Sequence, residues 1–273
     1  MKKCKSYIPN TNYGVLIQDK FNSQFEEISN QVIRLGFAIL DSGYTRKQIK
    51  YISAAFDRSL HNYVKKYGEN KLRGANELNT IRALLTHGNP VFIELANNSN
   101  LLKLVSRLIS GKYILNQQNG IINPPSKLYN QGLWHRDLPF QHYTSSTPLA
   151  INALFCVDEF TEKNGSTFVL PATHKQANFP SDLYIKKNAL QVTAKAGQYI
   201  ILDCMLFHSG GFNQTSKVRR AVNHVYTIPL IKQQINLPAQ LGNVELSADQ
   251  KELFGFNFQE ASSIEEYIKT RRR

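Results

Sequence analysis

The sequence predicts a mainly β protein with flanking helices, folded as an antiparallel barrel or a jelly roll. Up to residue 111, apolar residues recur at helical spacing. From residue 112 to residue 230, short runs rich in β-branched and aromatic residues alternate with turn residues. Several short strands at close intervals, without helices between them, are typical of barrels and jelly rolls.

The first part of the chain is predicted to consist of packing helices. Gly36 is expected to end the first helix, and a short buried strand follows at 37–40. Thr45 is predicted to cap the second helix, and Asn100 the fourth. Residues 66–79 are expected to form a polar loop. The predicted helices span 21–35, 45–64, 90–95 and 101–109.

The second part is predicted to contain the strands of the core. They are expected at 113–119, 133–138, 149–160, 166–170, 189–194, 198–207 and 219–229. Residues 175–188 are expected to form a polar insertion, and two C-terminal helices are predicted at 248–254 and 264–270.

Residues 1–273 are expected to form one domain, because no internal repeat or low-complexity linker divides them. Within it we expect a mostly helical part at 1–111, a β core at 112–230 and a C-terminal extension at 231–273.

The composition excludes several classes of protein. No apolar run approaches the roughly 18 residues of a membrane span. The basic N-terminus is not followed by the apolar stretch of a signal peptide. The three cysteines are odd in number and widely spaced, so we expect reduced thiols and a cytoplasmic location.

The formal net charge of +13 is compatible with nucleic acid, an anionic membrane surface or an anionic small substrate. The lysines are scattered, however, and the one dense basic run is 269–273. Because no nucleic-acid-binding motif accompanies them, we expect a solvated surface, no nucleic-acid partner and a small-molecule substrate. The sequence does not indicate an oligomeric state.

A His-x-Asp pair at His135 and Asp137 is the first candidate for chemistry. On a β-strand, residues i and i+2 point to the same face, so the imidazole and the carboxylate would lie side by side. They would form two-thirds of the 2-His-1-carboxylate site that holds non-haem Fe(II). Taken alone the pair is weak, because such pairs also occur by chance in exposed loops.

His208 and Arg219 complete a workable set. His208 follows a predicted apolar strand, and Arg219 begins another strand eleven residues later. An oxygenase that uses 2-oxoglutarate needs three ligands on one face of the iron. It also needs a fixed cation that grips the far carboxylate of the cosubstrate in a bidentate pair.

In these segments the chain resembles the phytanoyl-CoA dioxygenase family of Fe(II)/2-oxoglutarate-dependent oxygenases, over roughly residues 36 to 229. The order and spacing of the segments carry the resemblance more than any one of them does. The segments are Gly36-Phe37-Ala38-Ile39-Leu40, Trp134-His135-Arg136-Asp137, Asn164-Gly165-Ser166-Thr167, Leu170-Pro171-Ala172-Thr173-His174-Lys175, Ala194-Lys195-Ala196-Gly197-Gln198, His208-Ser209-Gly210-Gly211-Phe212-Asn213-Gln214-Thr215 and Arg219-Arg220-Ala221-Val222.

The resemblance implies a double-stranded β-helix, a cupin-like jelly roll supported by N-terminal helices. It also implies that His135, Asp137 and His208 bind Fe(II), and that Arg219 pairs with the C5 carboxylate of the cosubstrate 2-oxoglutarate, with O2 as the second cosubstrate. Thr167 matches a position whose hydroxyl often helps to hold 2-oxoglutarate. A β-branched strand residue that faces solvent is the alternative for Thr167.

Arg220 is a rival for the role of Arg219, since neighbouring strand residues point to opposite faces and only one can enter the barrel. The spacing from His208 favours Arg219. The chain also departs from the family pattern at three places. Asn123 stands where many members have a lysine, Ala172 replaces the glycine of a turn, and Gly210 replaces a serine that can contact 2-oxoglutarate.

The remaining histidines have structural explanations. His174 follows a predicted strand and is expected to be a structural cap. His224 is expected to be a hydrogen-bonded side chain of the barrel, and His142 either lines the substrate entrance or lies in a solvated loop. Trp134 precedes a ligand, so it should face away from the iron and pack in the core.

The sequence thus predicts an Fe(II)/2-oxoglutarate-dependent dioxygenase of the hydroxylase type. Asp137 argues against halogenation, because halogenating relatives replace this carboxylate with a small residue. A cupin-like isomerase or hydrolase that does not use 2-oxoglutarate, and a binding barrel without turnover, remain alternatives. The substrate is expected to be set by the N-terminal region and by residues 66–80, 139–147 and 175–188, which carry no readable code.

Overall fold

The computed structural model describes residues 9–138 and 144–271. Within these ranges nine strands form two antiparallel sheets. The strands are β1 (Phe37–Asp41), β2 (Thr80–Ile81), β3 (Ile114–Asn123), β4 (Ala150–Cys156), β5 (Thr167–Val169), β6 (Leu190–Val192), β7 (Gln198–Asp203), β8 (His208–Gly210) and β9 (Arg219–Thr227).

The larger sheet has the strand order β1-β7-β4-β9-β3-β2, and the smaller sheet has the order β6-β5-β8. The chain crosses from one sheet to the other several times, so that neighbours in a sheet are rarely neighbours in sequence. This two-sheet arrangement with flanking helices is the jelly roll, or double-stranded β-helix, that the sequence predicted.

Helices flank the sheets. In the described ranges they are α1 (Gln24–Leu35), α2 (Arg46–Tyr67), α3 (Glu69–Gly74), α4 (Val91–Ala96), α5 (Ser99–Leu108), α6 (Asp182–Asn188), α7 (Leu237–Leu241), α8 (Ala248–Leu253) and α9 (Ile264–Thr270). Two predicted helix signals are confirmed. Gly36 ends α1 in the left-handed conformation, with a φ of 84°, and Thr45 forms a capping box with Gln48 at the start of α2. In the part of the chain that is described, none of these helices combines the length and apolar character needed to cross a membrane.

The larger sheet is buried on both faces, which explains its long apolar runs. On β7, Tyr199 and Ile201 pack into the core shared with the helices, whereas Ile200 and Leu202 point to the space between the sheets. A glycine on β3 allows α2 to approach closely, because a Cβ at Gly120 would lie 2.9 Å from the Phe56 ring.

Two local predictions were wrong, for 66–79 and for Asn100, and the predicted polar insertion at 175–188 contains a helix. Residues 66–79 are not a loop, because α2 continues to Tyr67 and α3 follows, with Leu72 buried. The insertion at 175–188 contains α6, a helix without buried residues and so without an apolar period. Asn98, not Asn100, caps α5 by accepting a hydrogen bond from the Leu101 N–H at 3.0 Å.

The predicted strands at 198–207 and 133–138 also differ from the structure. β7 ends at Asp203, whose carboxylate accepts the Met205 N–H at 2.8 Å in a tight buried turn. The chain then enters the other sheet at His208. The turn is as apolar as the strand, so the sequence could not separate them. Residues 133–138 form one isolated bridge, at His135, instead of a continuous strand.

His224 is a fully buried histidine of β9 with both ring nitrogens satisfied, as predicted. Its Nδ1–H donates to the Ala153 carbonyl at 3.0 Å, and its Nε2 accepts from the Gln118 amide at 3.0 Å. The same amide nitrogen donates to the Phe92 carbonyl of α4 at 2.7 Å. Burial lowers the pKa of His224 from 6.5 to about 4, so the folded protein holds this imidazole neutral.

This pKa predicts a loss of stability in mild acid. The unfolded chain takes up a proton at His224 below about pH 6.5, whereas the folded chain does so only near pH 4. The free energy of unfolding should therefore fall by about 2 kcal/mol between pH 7 and pH 5 on account of this residue. Urea unfolding of the metal-free protein and of His224→Gln at both pH values measures the difference. Equal losses in the two proteins would contradict the assignment.

Candidate metal centre

Three side chains predicted to share a metal ion converge in the structure. One ligand atom from each of His135, Asp137 and His208 lies within 4.8 Å of the others. The Asp137 Oδ1 is 3.6 Å from the Nε2 of His208 and 4.0 Å from the Nε2 of His135. The i, i+2 prediction for His135 and Asp137 is therefore confirmed, although the segment that carries them is not a regular strand.

A backbone bridge brings the distant histidine to this pair. The His135 N–H donates to the His208 carbonyl at 2.9 Å, and the His208 N–H donates to the His135 carbonyl at 3.0 Å. The Asp137 N–H donates to the Cys204 carbonyl at 3.1 Å, which fixes the position of Asp137 in the same segment. The two imidazole rings consequently lie with their centroids 4.3 Å apart.

Each imidazole is oriented by a backbone carbonyl two residues before it. The Nδ1 of His135 lies 2.7 Å from the Leu133 carbonyl, and the Nδ1 of His208 lies 2.9 Å from the Leu206 carbonyl. A carbonyl only accepts, so Nδ1 carries a hydrogen, and Nε2 is the ring nitrogen turned toward Asp137. This is the hydrogen-bonding pattern of metal-binding histidines.

Asp137 is held as a carboxylate. Burial acts to raise its pKa, but His208, His135 and a hydrogen bond from the Asn152 amide outweigh burial and lower the pKa to about 2. The Asn152 Nδ2 donates to Asp137 Oδ2 at 2.7 Å, which leaves Oδ1 toward the histidines. Two nitrogen donors and one anionic oxygen form a set that a ferrous ion accepts with open positions remaining.

The three predicted metal ligands line an open cavity between the two sheets, with about 420 Å³ of empty space. Thr167 and Gly210 contribute from the smaller sheet, and Leu154 and Arg219 contribute from the larger one. Thr167 is only 4% exposed and faces this cavity, so the alternative of a solvent-facing residue is wrong.

Arg219 brings a buried positive charge into the same cavity. Its side chain is packed over the Phe160 ring at 3.8 Å, and its Nη2 donates to the Tyr129 hydroxyl at 3.3 Å. Among the described residues no carboxylate pairs with it, and its Nε has no hydrogen-bond partner. A buried guanidinium without an anion is costly, which indicates that an anionic ligand belongs here.

Arg220 has a different environment. Its guanidinium binds both carboxylate oxygens of Asp158, at 3.0 and 2.7 Å, and the carboxylate of Asp57 at 2.6 Å. It also donates to the hydroxyl of Ser53 on α2 at 2.9 Å. Arg220 therefore joins β9 to α2, and of the two neighbouring arginines Arg219 alone lines the cavity.

The residue between the two ligands, Arg136, ties the following insertion to the metal segment. Its guanidinium lies 3.9 Å from the centre of the Phe207 ring. It donates to the carbonyls of Thr173, Gln176, Ala177 and Met205. Every acceptor is a main-chain oxygen. The start of the 175–188 insertion is thereby anchored beside the metal ligands.

The departures from the family pattern have structural explanations at two positions. The Asn123 amide donates to the carbonyls of Gly165 at 3.3 Å and Gly211 at 2.9 Å, so it holds two loops together. Gly210 faces the Tyr129 hydroxyl, which leaves no room for a side chain.

The other histidines lie where the sequence predicted, as far as they are described. His174 is buried, and its Nε2 bonds the Ile33 carbonyl at 3.0 Å, which is a structural role. His142 lies outside the described residues. Trp134 packs against Phe179, with ring centroids 6.4 Å apart, and is half-buried instead of being a core residue.

Asn152 and Tyr129 are site residues that sequence reasoning missed. Asn152 had a signal, because it is a lone polar residue in the apolar run of β4. Tyr129 had none, since it lies in an irregular segment before the His-x-Asp pair.

Comparison with known proteins identifies the family. The family model for phytanoyl-CoA dioxygenase (PhyH) matches residues 33–221. The chain belongs to this family, as the sequence motifs predicted.

Three similar proteins cover most of the chain. The uncharacterized protein Rv1501 of Mycobacterium tuberculosis is 27% identical over 254 residues, which cover 90% of this chain and 92% of that protein. The crystal structure of EctD from S. alaskensis with 2-oxoglutarate and 5-hydroxyectoine has a TM-score of 0.65 at 19% identity, covering 78% and 79% of the two chains. The α-ketoglutarate-dependent epimerase SnoN from nogalamycin biosynthesis has a TM-score of 0.57 at 15% identity, covering 74% and 80%.

The bond from Asn152 to Asp137 leads to a testable prediction. Replacing Asn152 with leucine removes a hydrogen bond that orients the carboxylate while keeping the side-chain volume. We expect Fe(II) affinity to fall about 10- to 100-fold, as is usual for such supporting bonds. Calorimetric titration with Fe(II) under anaerobic conditions measures the affinity. His174→Gln is the matched control, because His174 is also buried but bonds the Ile33 carbonyl instead of a predicted metal ligand. Equal affinities for Fe(II) in the two variants would contradict the prediction.

Proposed function

We propose that this protein is an Fe(II)/2-oxoglutarate-dependent dioxygenase that hydroxylates a small molecule. One observation carries the proposal: the buried guanidinium of Arg219, which has no anionic partner among the described residues, lines the same cavity as the three predicted metal ligands. A metal triad alone would suit many reactions. The guanidinium of Arg219 in addition favours a cosubstrate that has a metal-binding group at one end and a carboxylate at the other.

In this proposal His135 and His208 bind Fe(II) through Nε2, and Asp137 binds it through its carboxylate. A ferrous ion held by these three side chains would supply the activation of O2 for oxidation of a C–H bond, coupled to conversion of 2-oxoglutarate to succinate and CO2. The protein supplies the geometry. Arg219 grips the C5 carboxylate, and Thr167 offers a hydroxyl from the opposite sheet.

Family membership supports the chemistry, and two similar structures bear on the reaction type. The EctD structure was solved with 2-oxoglutarate and a hydroxylated compound, whereas SnoN is an epimerase that depends on the same cosubstrate. Hydroxylation and epimerisation both begin at a C–H bond. We favour hydroxylation for this chain, and product analysis with an identified substrate separates the two.

The two alternatives from the sequence are less well supported. A cupin-like isomerase or hydrolase has no need for Arg219, which is buried and pairs with no carboxylate in the part of the chain that the structure describes. The cost of burying its charge would then be uncompensated. A binding barrel without turnover would not need two imidazoles whose Nε2 atoms face an ionised carboxylate. The net charge of +13 favours an anionic or carrier-linked substrate.

The reaction is tested by measuring succinate. Protein reconstituted with Fe(II) and supplied with 2-oxoglutarate, ascorbate and air should release succinate slowly without substrate, and faster when candidate metabolites are added. His135→Ala should reduce succinate release to the level of free Fe(II), since one of three ligands is lost. Succinate release by His135→Ala equal to that of the wild type would overturn the proposal.

The neighbouring arginines provide a matched pair of variants. Arg219→Gln should weaken anaerobic binding of 2-oxoglutarate by at least about 30-fold, because it removes the partner of a buried carboxylate. Arg220→Gln should leave that affinity unchanged and lower the free energy of unfolding by about 1–3 kcal/mol, since it breaks hydrogen-bonded ion pairs. Calorimetry measures the binding and urea unfolding the stability. An Arg219→Gln protein that binds 2-oxoglutarate like the wild type would contradict the assignment.

A further inference from the structure

The side chain of Tyr129 occupies the space beside Gly210, a residue of β8 two positions after His208. A Cβ built at Gly210 would lie 2.1 Å from the Tyr129 hydroxyl oxygen and 3.0 Å from its Cζ. Gly210 is not among the residues with positive φ, so the backbone conformation does not require glycine there. The lack of space requires glycine at this position, because the Tyr129 phenol fills the place of a side chain.

The phenol is joined to the guanidinium that lines the cavity. The Tyr129 oxygen accepts a hydrogen bond from Arg219 Nη2 at 3.3 Å. Among the described residues, no acceptor is found for the hydroxyl hydrogen itself. Burial raises the pKa of Tyr129, so the hydroxyl remains protonated at neutral pH and able to donate. Arg219 and Tyr129 therefore present donors to the same part of the cavity.

The segment that carries Tyr129 is tied down on both sides. Before it, the Ser126 N–H donates to the Asn213 carbonyl at 2.8 Å. After it, the Gly132 N–H donates to the Tyr129 carbonyl at 2.9 Å, and the Ser209 hydroxyl donates to the Gly132 carbonyl at 3.0 Å. These bonds fix the segment against β8, so the phenol is positioned before any ligand arrives.

We infer that Tyr129 binds the cosubstrate: its hydroxyl donates to the C5 carboxylate of 2-oxoglutarate beside Arg219, in place of a side chain at position 210. The inference rests on the proposed function. The carboxylate has two oxygens, and the pair of residues satisfies both, with the guanidinium as the charged donor and the phenol as the neutral one. Thr167, which pairs with Gly210 across the smaller sheet, borders the same end of the cavity.

The test measures the dissociation constant of 2-oxoglutarate anaerobically, by calorimetry, on protein loaded with Fe(II). Tyr129→Phe removes only the hydroxyl and should raise the dissociation constant about tenfold. The affinity for Fe(II) in the absence of 2-oxoglutarate should not change. In turnover, the KM for 2-oxoglutarate should rise by a similar factor, while kcat at saturation stays within about twofold.

A reciprocal exchange sharpens the test. Gly210→Ser alone should weaken 2-oxoglutarate binding, because the new side chain collides with the phenol. Tyr129→Leu opens the same space and removes the donor. Adding Gly210→Ser to Tyr129→Leu should then recover affinity at least about threefold over Tyr129→Leu, since the serine hydroxyl replaces the phenol. A merely structural tyrosine would not be rescued in this way.

Tyr113→Phe is the matched control, because the Tyr113 hydroxyl lies 3.0 Å from that of Ser106, outside the cavity. It should leave the dissociation constant unchanged. A Tyr129→Phe protein that binds 2-oxoglutarate like the wild type overturns the inference alone, provided that Arg219→Gln has lost binding. Failure of the metal-loaded wild type to bind 2-oxoglutarate overturns the inference and the proposed function together.

Discussion

The candidate metal centre depends on the two backbone hydrogen bonds that His135 and His208 exchange. These residues are far apart in sequence, and this bridge brings their imidazoles to one point. The carbonyls of Leu133 and Leu206 then orient the two rings in the same way, each from two residues upstream. The local conformation is thus repeated on both sides of the bridge, and a pair of equivalent nitrogen donors results.

A second constraint is the balance of charge in the cavity. At one end a carboxylate with a pKa of about 2 faces two imidazoles, and at the other end a buried guanidinium lacks an anion among the described residues. A divalent cation would complete the first end, and a carboxylate would complete the second. The two ends thus call for ligands of opposite charge. A dicarboxylic acid that chelates a metal answers both requirements.

The sequence was informative about those features of the fold and the site that leave a regular or unusual pattern of residues. The order of helices and strands, the His-x-Asp pair and the distal histidine were predictable, because periodicity and spacing record them directly. Spacing favoured Arg219 over Arg220, and the structure places Arg219 in the cavity, whereas Asp158 and Asp57 hold Arg220 elsewhere. The boundary at Asp203 was not predictable, since buried strand and buried turn share the same apolar composition. Tyr129 was not predictable either, because its contact with Gly210 depends on tertiary packing between an irregular segment and β8.

The bonds of Arg136 bear on how such a protein can change its substrate. All of its acceptors are peptide oxygens, which every amino acid provides. The exposed side chains of residues 175–177 can therefore vary while the attachment persists, whereas Thr173 and His174 are buried and hydrogen-bonded. New side chains can arise on this exposed part of the insertion without disturbing the residues on either side of Arg136. The same anchor thus separates the part of the chain that performs the oxidation from the part that can diversify.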